Sequence, residues 1–152
     1  MNIRRATEAD AAELMRLRLV MIRSAHPAPD GPWIDEGVHW FADRLHHDAT
    51  TFAAFAADGG TGLVSCAVAW VIPHLPRPGA GPGRGRIASV ATDPEHRRRG
   101  YARACVAQAQ EWLIGRDCSS IDLNASNDGL DLYLSMGFTV DEDPSMIWRR
   151  PS

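Results

Sequence analysis

The sequence predicts one mixed α/β domain, and three observations support this prediction. The chain has 152 residues, about the size of one ordinary domain. Hydrophobic residues make up 45% and charged residues 23% of it, which is typical of globular proteins and excludes a disordered or fibrous chain. Strand-like and helix-like segments alternate without an internal repeat or a linker, which is the pattern of a mixed α/β fold.

The N-terminal part of the chain predicts one strand followed by two helices. Ile3–Ala6 has the character of a short strand, and Thr7 with Asp10 three residues later resembles a capping box that starts a helix ending near Arg23. A segment with three prolines and a glycine then forms a loop from His26 to Pro32. The second helix follows from apolar residues that recur at helical spacing: Ile34, Val38, Phe41 and Leu45.

The central part predicts a hairpin and then an irregular loop. Thr51–Ala57 and Leu63–Ile72 have the character of strands, and Asp58-Gly59-Gly60 between them is a hairpin turn signal. Residues 73–85 contain four prolines and four glycines, so they predict a loop. Their regularly spaced glycines resemble a dinucleotide-binding loop, but the interleaved prolines and the missing strand-to-helix context argue against that function.

The C-terminal part predicts four strands and two helices. The longer helix presents a small apolar face that includes Ala102 and Val106, and Gly137 is a favourable C-terminal cap for the shorter one. The predicted elements are a strand at Arg86–Thr92, a helix at Arg98–Ile114, a strand at Ser120–Ala125, a helix at Asp128–Met136, and a final pair of strands at Phe138–Val140 and Ser145–Trp148.

Composition and charge exclude several classes of function. The net charge of −3 argues against a dedicated nucleic-acid binder. No apolar run approaches the ~20 residues that cross a bilayer, and the N-terminus lacks an apolar signal core, so we expect no membrane partner and a cytoplasmic location. The three cysteines are widely spaced without a C-x-x-C pair, and the histidine spacings match no ligand pattern. We therefore expect no metal and predict buried free thiols.

The most informative segment lies where a strand ends and a long helix begins. Asp93-Pro94-Glu95 breaks the strand, and three consecutive arginines from Arg97 lead into Gly100. The start of a helix presents free backbone N–H groups and a positive dipole, a combination that binds phosphate or pyrophosphate. Small residues at Gly100 and Ala102 let an anion approach the backbone. A solvated basic turn is the alternative interpretation of the same residues.

Two motifs in this half of the chain resemble the GCN5-related N-acetyltransferase family. Arg97-x-x-Gly100-x-Ala102 is similar to the acyl-CoA-binding signature Q/R-x-x-G-x-G/A of that family. About thirty residues later, Leu132-Tyr133-x-x-x-Gly137-Phe138 is similar to the family's L-Y-x-x-x-G-F. The resemblance covers nearly the whole chain. It implies a GNAT-like fold, with a mostly antiparallel sheet of six to seven strands flanked by about four helices.

The resemblance also implies how acetyl-CoA would bind. The backbone of the Arg/Gly segment would hold the pyrophosphate, and the pantetheine arm would pair with the preceding strand. Tyr133 would protonate the departing thiolate. The residues implied in binding the cosubstrate are Val90, Ala91, Thr92, Arg97, Arg98, Arg99, Gly100, Tyr101, Ala102 and Arg103, together with Ser126 or Asn127.

Two roles in the site stay open at the level of sequence. Many relatives carry an Asn, seven residues before the tyrosine, that binds the pantetheine. Ser126 stands at that position, a shift of one residue aligns Asn127 instead, and Asn127 is narrowly favoured. Many relatives also carry a Glu base on the strand before the anion-binding segment, where Arg86–Thr92 of this chain has no acid. Asp122 on the following strand is the candidate base, and loss of the amine proton through water is the alternative.

The resemblance also implies that the acceptor binds between the first two helices, their connecting loop and the late strands. Trp33 and Trp40 are candidate aromatic walls, and His74 is a further candidate at the start of the Pro/Gly loop. The predicted activity is acetyl-CoA-dependent acetylation of a small-molecule primary amine by direct attack in a ternary complex. Acetylation of a protein N-terminus or side chain and a non-catalytic acyl-CoA-binding module are the alternatives. Relatives are often dimers, so a homodimer is possible.

Overall fold

The computed structural model describes all 152 residues and contains five strands and four helices. Two short 3-10 turns, Glu8–Asp10 and Pro94–His96, precede the first and third helices. The strands are β1 (Ile3–Arg5), β2 (Phe52–Asp58), β3 (Leu63–Pro73), β4 (Gly83–Thr92) and β5 (Cys118–Asp122). The helices are α1 (Ala11–Ala25), α2 (Pro32–His47), α3 (Tyr101–Gly115) and α4 (Asn127–Ser135).

The strands form one sheet in the order β1-β2-β3-β4-β5. The first three strand pairs are antiparallel, and only β4 and β5 run parallel, because α3 carries the chain across the sheet between them. The predicted mixed α/β class, mostly antiparallel sheet and four helices are therefore confirmed. None of the helices is long and apolar enough to cross a lipid bilayer.

The two faces of the sheet bury two separate apolar clusters. On one face, Ala54 and Ala56 of β2 pack with Leu14 and Leu17 of α1 and with Phe41 of α2. On the other face, alternate residues of β2 and β3 pack against Val106 and Leu113 of α3. These strand residues are Ala53, Phe55, Ala67 and Ala69. The many alanines of β2 and β3 let helices approach both faces closely, so the chain forms a three-layer α/β/α arrangement.

Strand β4 carries a β-bulge at Ser89. The pairing of β4 with β3 changes register between Cys66 and Val68, and Ser89 has a positive φ of 51°. The extra residue reverses the alternation of side chains, so Ile87 and Val90 both pack on the α3 face. A non-glycine residue in this conformation is strained, and such strain collects at functional sites.

Strands β4 and β5 stop pairing before β4 reaches the bulge. Their pairing ends at Arg86 opposite Asp122, whereas β4 continues for six residues to Thr92. The last half of β4 therefore has β3 on one side and no strand on the other. This leaves a wedge-shaped opening in the sheet next to the start of α3.

The two final strands of the sequence prediction are absent, which corrects the expected six to seven strands to five. Neither Phe138–Val140 nor Ser145–Trp148 pairs with the sheet. Three acidic residues and a proline separate the two segments, and Trp148 is 81% exposed. Each segment is short and buries little apolar surface, so β-propensity alone does not hold it against the sheet.

The Pro/Gly loop is shorter than predicted because both ends belong to strands. Strand β3 extends to Pro73 and β4 begins at Gly83, so residues 74–82 form the loop. Gly83 and Gly85 are buried strand residues that lack space for a side chain: a Cβ on Gly83 would lie 2.6 Å from Val71 Cγ1. These glycines therefore serve close packing within the sheet.

Two further boundaries differ from the prediction. Helix α3 begins at Tyr101 rather than at Arg98, because Arg98 and Gly100 both have positive φ angles, 64° and 83°. Strand β5 covers Cys118–Asp122 instead of Ser120–Ala125, since the chain leaves the sheet directly after its last pair with β4. The predicted capping pair is present: the Thr7 backbone N–H donates to Asp10 Oδ2 at 2.8 Å.

Candidate active site

The turn after β4 is fixed to helix α1 by an ion pair. Arg16 donates from two guanidinium nitrogens to both oxygens of Asp93, at 2.8 and 3.1 Å. The same guanidinium bonds Glu13 and the Leu63 carbonyl oxygen, and the Asp93 N–H donates to the Val64 carbonyl oxygen at 2.8 Å. This partly buried network sets the direction in which the chain leaves β4 and enters the Arg/Gly segment.

Six consecutive backbone N–H groups, from Arg98 to Arg103, make no hydrogen bond within the protein. The first helical bond of α3 runs from the Ala104 N–H to the Gly100 carbonyl oxygen at 3.1 Å. A helix start leaves up to four N–H groups free, and the loop before α3 adds more at the same place. Free donors together with the positive end of a helix are the arrangement that binds phosphate groups in proteins.

Glycine at position 100 makes this arrangement possible. Gly100 directly precedes α3 with a φ of 83°, a left-handed conformation that costs a side-chain-bearing residue about 1–2 kcal/mol. Backbone of this kind turns successive N–H groups toward one concave side. Around it, Arg97 donates to the Thr92 carbonyl oxygen at 3.2 Å and Arg103 donates to Ser135 Oγ, while Arg98 and Arg99 are exposed.

The strand residues expected to meet the pantetheine lie along the wedge-shaped opening. Val90 and Thr92 are half-buried and Ala91 is buried. Thr92 Oγ1 lies 2.8 Å from Ser65 Oγ, which also donates to the Ala91 carbonyl oxygen. The structure thus brings Val90–Thr92 and the Arg/Gly segment together in one continuous stretch at the β4–α3 junction.

Tyr133 lies on helix α4 with its ring buried and its hydroxyl free. The residue is 7% exposed and packs edge-on against Phe138, with ring centroids 5.8 Å apart. The hydroxyl makes no hydrogen bond within the protein, and it is not a buried atom that lacks a partner, because it remains accessible to solvent. Burial raises the pKa of Tyr133, so the group keeps its proton at neutral pH. The residue therefore has the protonation state of an acid.

Ser126 and Asn127 differ in how their side chains are used. Ser126 is the N-cap of α4, and its Oγ accepts a hydrogen bond from the Gly129 N–H at 3.2 Å. Asn127 is the first residue of the helix, is exposed, and makes no side-chain hydrogen bond. Asn127 thus has its full amide available for a ligand, whereas Ser126 has only its hydroxyl proton to offer.

Asp122 forms ion pairs with two arginines of β4. Its Oδ1 accepts from Arg86 Nη1 at 2.5 Å, and its Oδ2 lies 3.5 Å from Arg84 Nη1. Both carboxylate oxygens are therefore close to a guanidinium. The predicted role of Asp122 as a base remains a prediction, and the ion pairs provide a structural role for the same carboxylate.

The three residues expected to line the acceptor site are not in mutual contact. Trp33 Nε1 donates to the Pro29 carbonyl oxygen at 3.1 Å, and its ring packs against the α1/α2 cluster. Trp40 is 51% exposed and meets Phe52 edge-on. His74 lies in the loop after β3 and interacts with the Leu75 carbonyl oxygen at 2.9 Å. No hydrogen bond or aromatic contact joins these three side chains.

The structure also draws attention to residues that sequence patterns did not single out. Ser89 is 8% exposed, strained, and its hydroxyl is buried without a hydrogen-bond partner. Arg84 and Arg86 of β4 lie beside Asp122 and pair with it, and Trp70 of β3 lies opposite Arg86. Strand alternation puts Asp122 on the face opposite Ile121 and Leu123, but the residues beside Asp122 depend on cross-strand register, which the sequence does not reveal. No group of three or more His, Cys, Asp and Glu side chains is arranged to hold a metal ion.

Comparison with known proteins points to one family. The family model "Acetyltransferase (GNAT) family" matches residues 17–138. No curated protein matches the chain. The fold is similar to a GCN5-related N-acetyltransferase from Ralstonia eutropha JMP134, with a TM-score of 0.79, 24% identity and 97% of both chains covered.

Two further solved structures share the fold. A predicted acetyltransferase from Clostridium acetobutylicum, solved with acetyl-CoA, aligns with a TM-score of 0.84 and 20% identity over 96% of this chain and 94% of the other. Glucosamine-6-phosphate N-acetyltransferase from Arabidopsis thaliana aligns with a TM-score of 0.78 and 13% identity over 97% of both chains. These likenesses extend over nearly the whole length of each protein.

Proposed function

The chain belongs to the GNAT family of acetyltransferases, and we propose that it transfers the acetyl group of acetyl-CoA to a primary amine of a small molecule. The observation that supports this most strongly is the run of six free N–H groups from Arg98 to Arg103 at the start of α3. Donors left free on a helix end favour an anionic ligand, and acetyl-CoA carries a pyrophosphate.

The residues around the opening suggest how acetyl-CoA is held. We propose that the pyrophosphate accepts hydrogen bonds from the Arg98–Arg103 backbone and is attracted by Arg97. The pantetheine amides would pair with the unpaired side of Val90–Thr92, as an added strand does at a free edge. Asn127 at the start of α4, or the hydroxyl of Ser126, would bind the same arm from the other side of the opening.

The proposed reaction is direct attack in a ternary complex. The amine nitrogen attacks the thioester carbonyl carbon, a C–N bond forms, the C–S bond breaks, and Tyr133 gives its proton to the departing thiolate. A backbone N–H of β4 polarises the carbonyl oxygen. The chain's thiols support a route without an acetyl-enzyme: Cys66 and Cys105 are fully buried, Cys118 is 8% exposed, and burial raises the pKa of each.

Two routes exist for the proton that the amine loses. Asp122 would take it directly, or water would carry it away. The contacts favour water, because both oxygens of Asp122 already face guanidiniums. Asp122→Asn distinguishes the routes: kcat falls at least about a hundredfold if Asp122 is the base, in line with the 10²–10⁴ that such catalysis contributes. The kcat of Asp122→Asn stays within a few-fold of the wild type if water carries the proton away.

A small-molecule acceptor is proposed over a protein one. The Arabidopsis neighbour is, by its name, an acetyltransferase of glucosamine-6-phosphate, which is a small molecule. Three buried unpaired thiols fit a reducing, cytoplasmic setting. Homodimer formation stays a prediction from the resemblance.

The test is thiol release from acetyl-CoA by the wild-type chain, with small amines and with peptides as acceptors, and the product identified by mass. Amine-dependent release with an acetylated small molecule supports the proposal. Release only with peptides would replace it by protein acetylation. Tight acetyl-CoA binding without release for any acceptor would indicate a non-catalytic binding module.

A further inference from the structure

One row of directly paired residues crosses four strands of the sheet. Phe52 of β2 lies opposite Trp70 of β3, Trp70 lies opposite Arg86 of β4, and Arg86 lies opposite Asp122 of β5. Directly paired residues project their side chains to the same face of a sheet. The row therefore runs from an aromatic pair through a cation to an anion within one surface.

This row faces the α1/α2 side of the sheet. Trp70 packs against the cluster that contains Leu14 of α1 and Phe41 of α2. Gly85, the residue before Arg86, faces α3, since a Cβ there would lie 2.8 Å from Leu113 Cδ1. Arg84 and Arg86 alternate with Gly85 and so project to the opposite face. The helix that packs on β5 is α3, on the other side, which leaves the Arg/Asp end of the row accessible.

The charged end of the row contains two cations and one anion. Arg86 and Arg84 share the single carboxylate of Asp122. The side chains of Arg84, Arg86 and Asp122 keep 47%, 27% and 40% of their surface exposed. The Arg84 side chain makes no hydrogen bond, and that of Arg86 uses one nitrogen, so several guanidinium N–H groups remain free. Such a group is complementary to a second carboxylate, which guanidinium binds in a two-pronged fashion.

The other end of the row offers aromatic surface. Trp70 stacks on Phe52 with ring centroids 6.2 Å apart and is half-buried. Trp40 meets the same Phe52 edge-on at 5.5 Å and is 51% exposed. Phe52 itself is buried, so the two indoles present the accessible apolar surface.

We propose that the acceptor is a primary amine that carries both an aromatic ring and a carboxylate, such as an aromatic α-amino acid. Its carboxylate binds Arg84 and the free N–H groups of Arg86, its amine lies beside Asp122, and its ring lies against Trp70. The Arg86–Asp122 pair is the last one before β4 and β5 separate, so the amine is held at the mouth of the opening. This inference rests on the proposed function and names the substrate class of that site.

Three acceptors that differ only at the carboxylate test the inference: L-phenylalanine, L-phenylalaninamide and phenethylamine. We expect kcat/KM for L-phenylalanine to exceed that for either analogue at least tenfold in a thiol-release assay. The amide is the less basic amine and is more often unprotonated, an effect that works against the expected preference. L-Alanine, which keeps the carboxylate without the ring, should be a poorer acceptor than L-phenylalanine.

Two variants connect the preference to the two arginines. Arg84→Gln should raise KM for L-phenylalanine about tenfold and reduce the preference over the amide, with kcat and the affinity for acetyl-CoA unchanged. Arg86→Gln should do the same with a further loss of stability, because it frees Asp122. Arg150→Gln, at an exposed position without an ion pair, is the control and should change nothing.

The outcomes separate this inference from the proposed function. A folded chain that does not bind acetyl-CoA contradicts both. Acetyl-CoA binding with equal rates for the acid and the amide, or with no acetylation of the amino acids, overturns the inference alone. A lower melting temperature of Arg84→Gln without any change in acceptor preference would also contradict the inference. It would show that the arginines only join β4 to β5.

Discussion

Gly85 of β4 and Leu113 of α3 are in such close contact that a methyl group on Gly85 would lie 2.8 Å from Leu113 Cδ1 and 3.1 Å from Ile121 Cγ1 of β5. The contact sets the distance between α3 and the sheet next to the point where β4 and β5 stop pairing. Gly85→Ala therefore overpacks a filled site, and we expect a loss of about 1–3 kcal/mol in the free energy of unfolding. Urea unfolding measures it. An unchanged midpoint would show that α3 moves away at little cost.

A matched pair of glycines tests the anion-binding segment. Gly100 and Gly79 have similar positive φ angles, 83° and 76°, and a Cβ on either residue would have no neighbouring atom closer than 3.9 Å. Alanine at either site strains the backbone and should lower stability by about 1–2 kcal/mol. Only Gly100→Ala should also weaken acetyl-CoA binding, by about tenfold or ~1.4 kcal/mol. Equal affinities of the two variants for acetyl-CoA would argue against a role for the Gly100 backbone in binding.

Removal of the Tyr133 hydroxyl should affect turnover and not binding. The ring is buried while the hydroxyl makes no bond within the protein, so Tyr133→Phe preserves packing and removes only the proposed acid. We expect kcat to fall by about 10²–10⁴, the range for a lost acid or base, with acetyl-CoA affinity and melting temperature unchanged. A kcat within threefold of the wild type would show that another group or water protonates the thiolate.

The same burial predicts the pH dependence of Tyr133. Desolvation raises the pKa of its hydroxyl above the ordinary value of 10.0, so the acid stays protonated until a higher pH than a free tyrosine would. The wild-type kcat should therefore show no decline from this group up to about pH 10. A decline well below that pH which is absent in Tyr133→Phe would contradict the raised pKa.

Buried thiols predict a loss of stability in alkali. Burial raises the pKa of Cys66 to about 12 and that of Cys105 to about 11 from 9.0. Above pH 9 the unfolded chain releases these protons while the folded chain keeps them, so the free energy of unfolding falls as pH rises. Each thiol contributes up to about 1.4 kcal/mol per pH unit. Unfolding of the reduced protein at pH 8 and pH 10 measures this, and Cys105→Ala should show the smaller slope.

Much of the fold could be predicted because the signals were local. Helix periodicity, the Asp58-Gly59-Gly60 turn and the break at Asp93 depend on near neighbours along the chain, and each element they predict is present. The predictions were wrong where the structure of a segment depends on contacts with residues far away along the chain. Gly83 and Gly85 resemble loop residues until Val71 and Leu113 fill the space beside them. Ser145–Trp148 has strand composition but makes no strand pair.

The same distinction applies to the candidate site. The Arg97–Arg103 segment and Tyr133 are contained in short motifs, so their selection needed no knowledge of the fold. The bulge at Ser89 and the row from Phe52 to Asp122 arise from strand register, which joins residues 70 positions apart. Arg86 could not be recognised as the partner of Asp122 before β4 and β5 were aligned.

Calorimetric titration of the wild-type chain with acetyl-CoA tests the central claim most directly, with 3′-dephospho-CoA and inorganic phosphate as comparison ligands. The free N–H groups of Arg98–Arg103 should bind the pyrophosphate, so acetyl-CoA and 3′-dephospho-CoA should both bind and inorganic phosphate should bind far more weakly. A folded chain that binds neither nucleotide would show that this segment is only a basic turn, and the proposed function would be wrong.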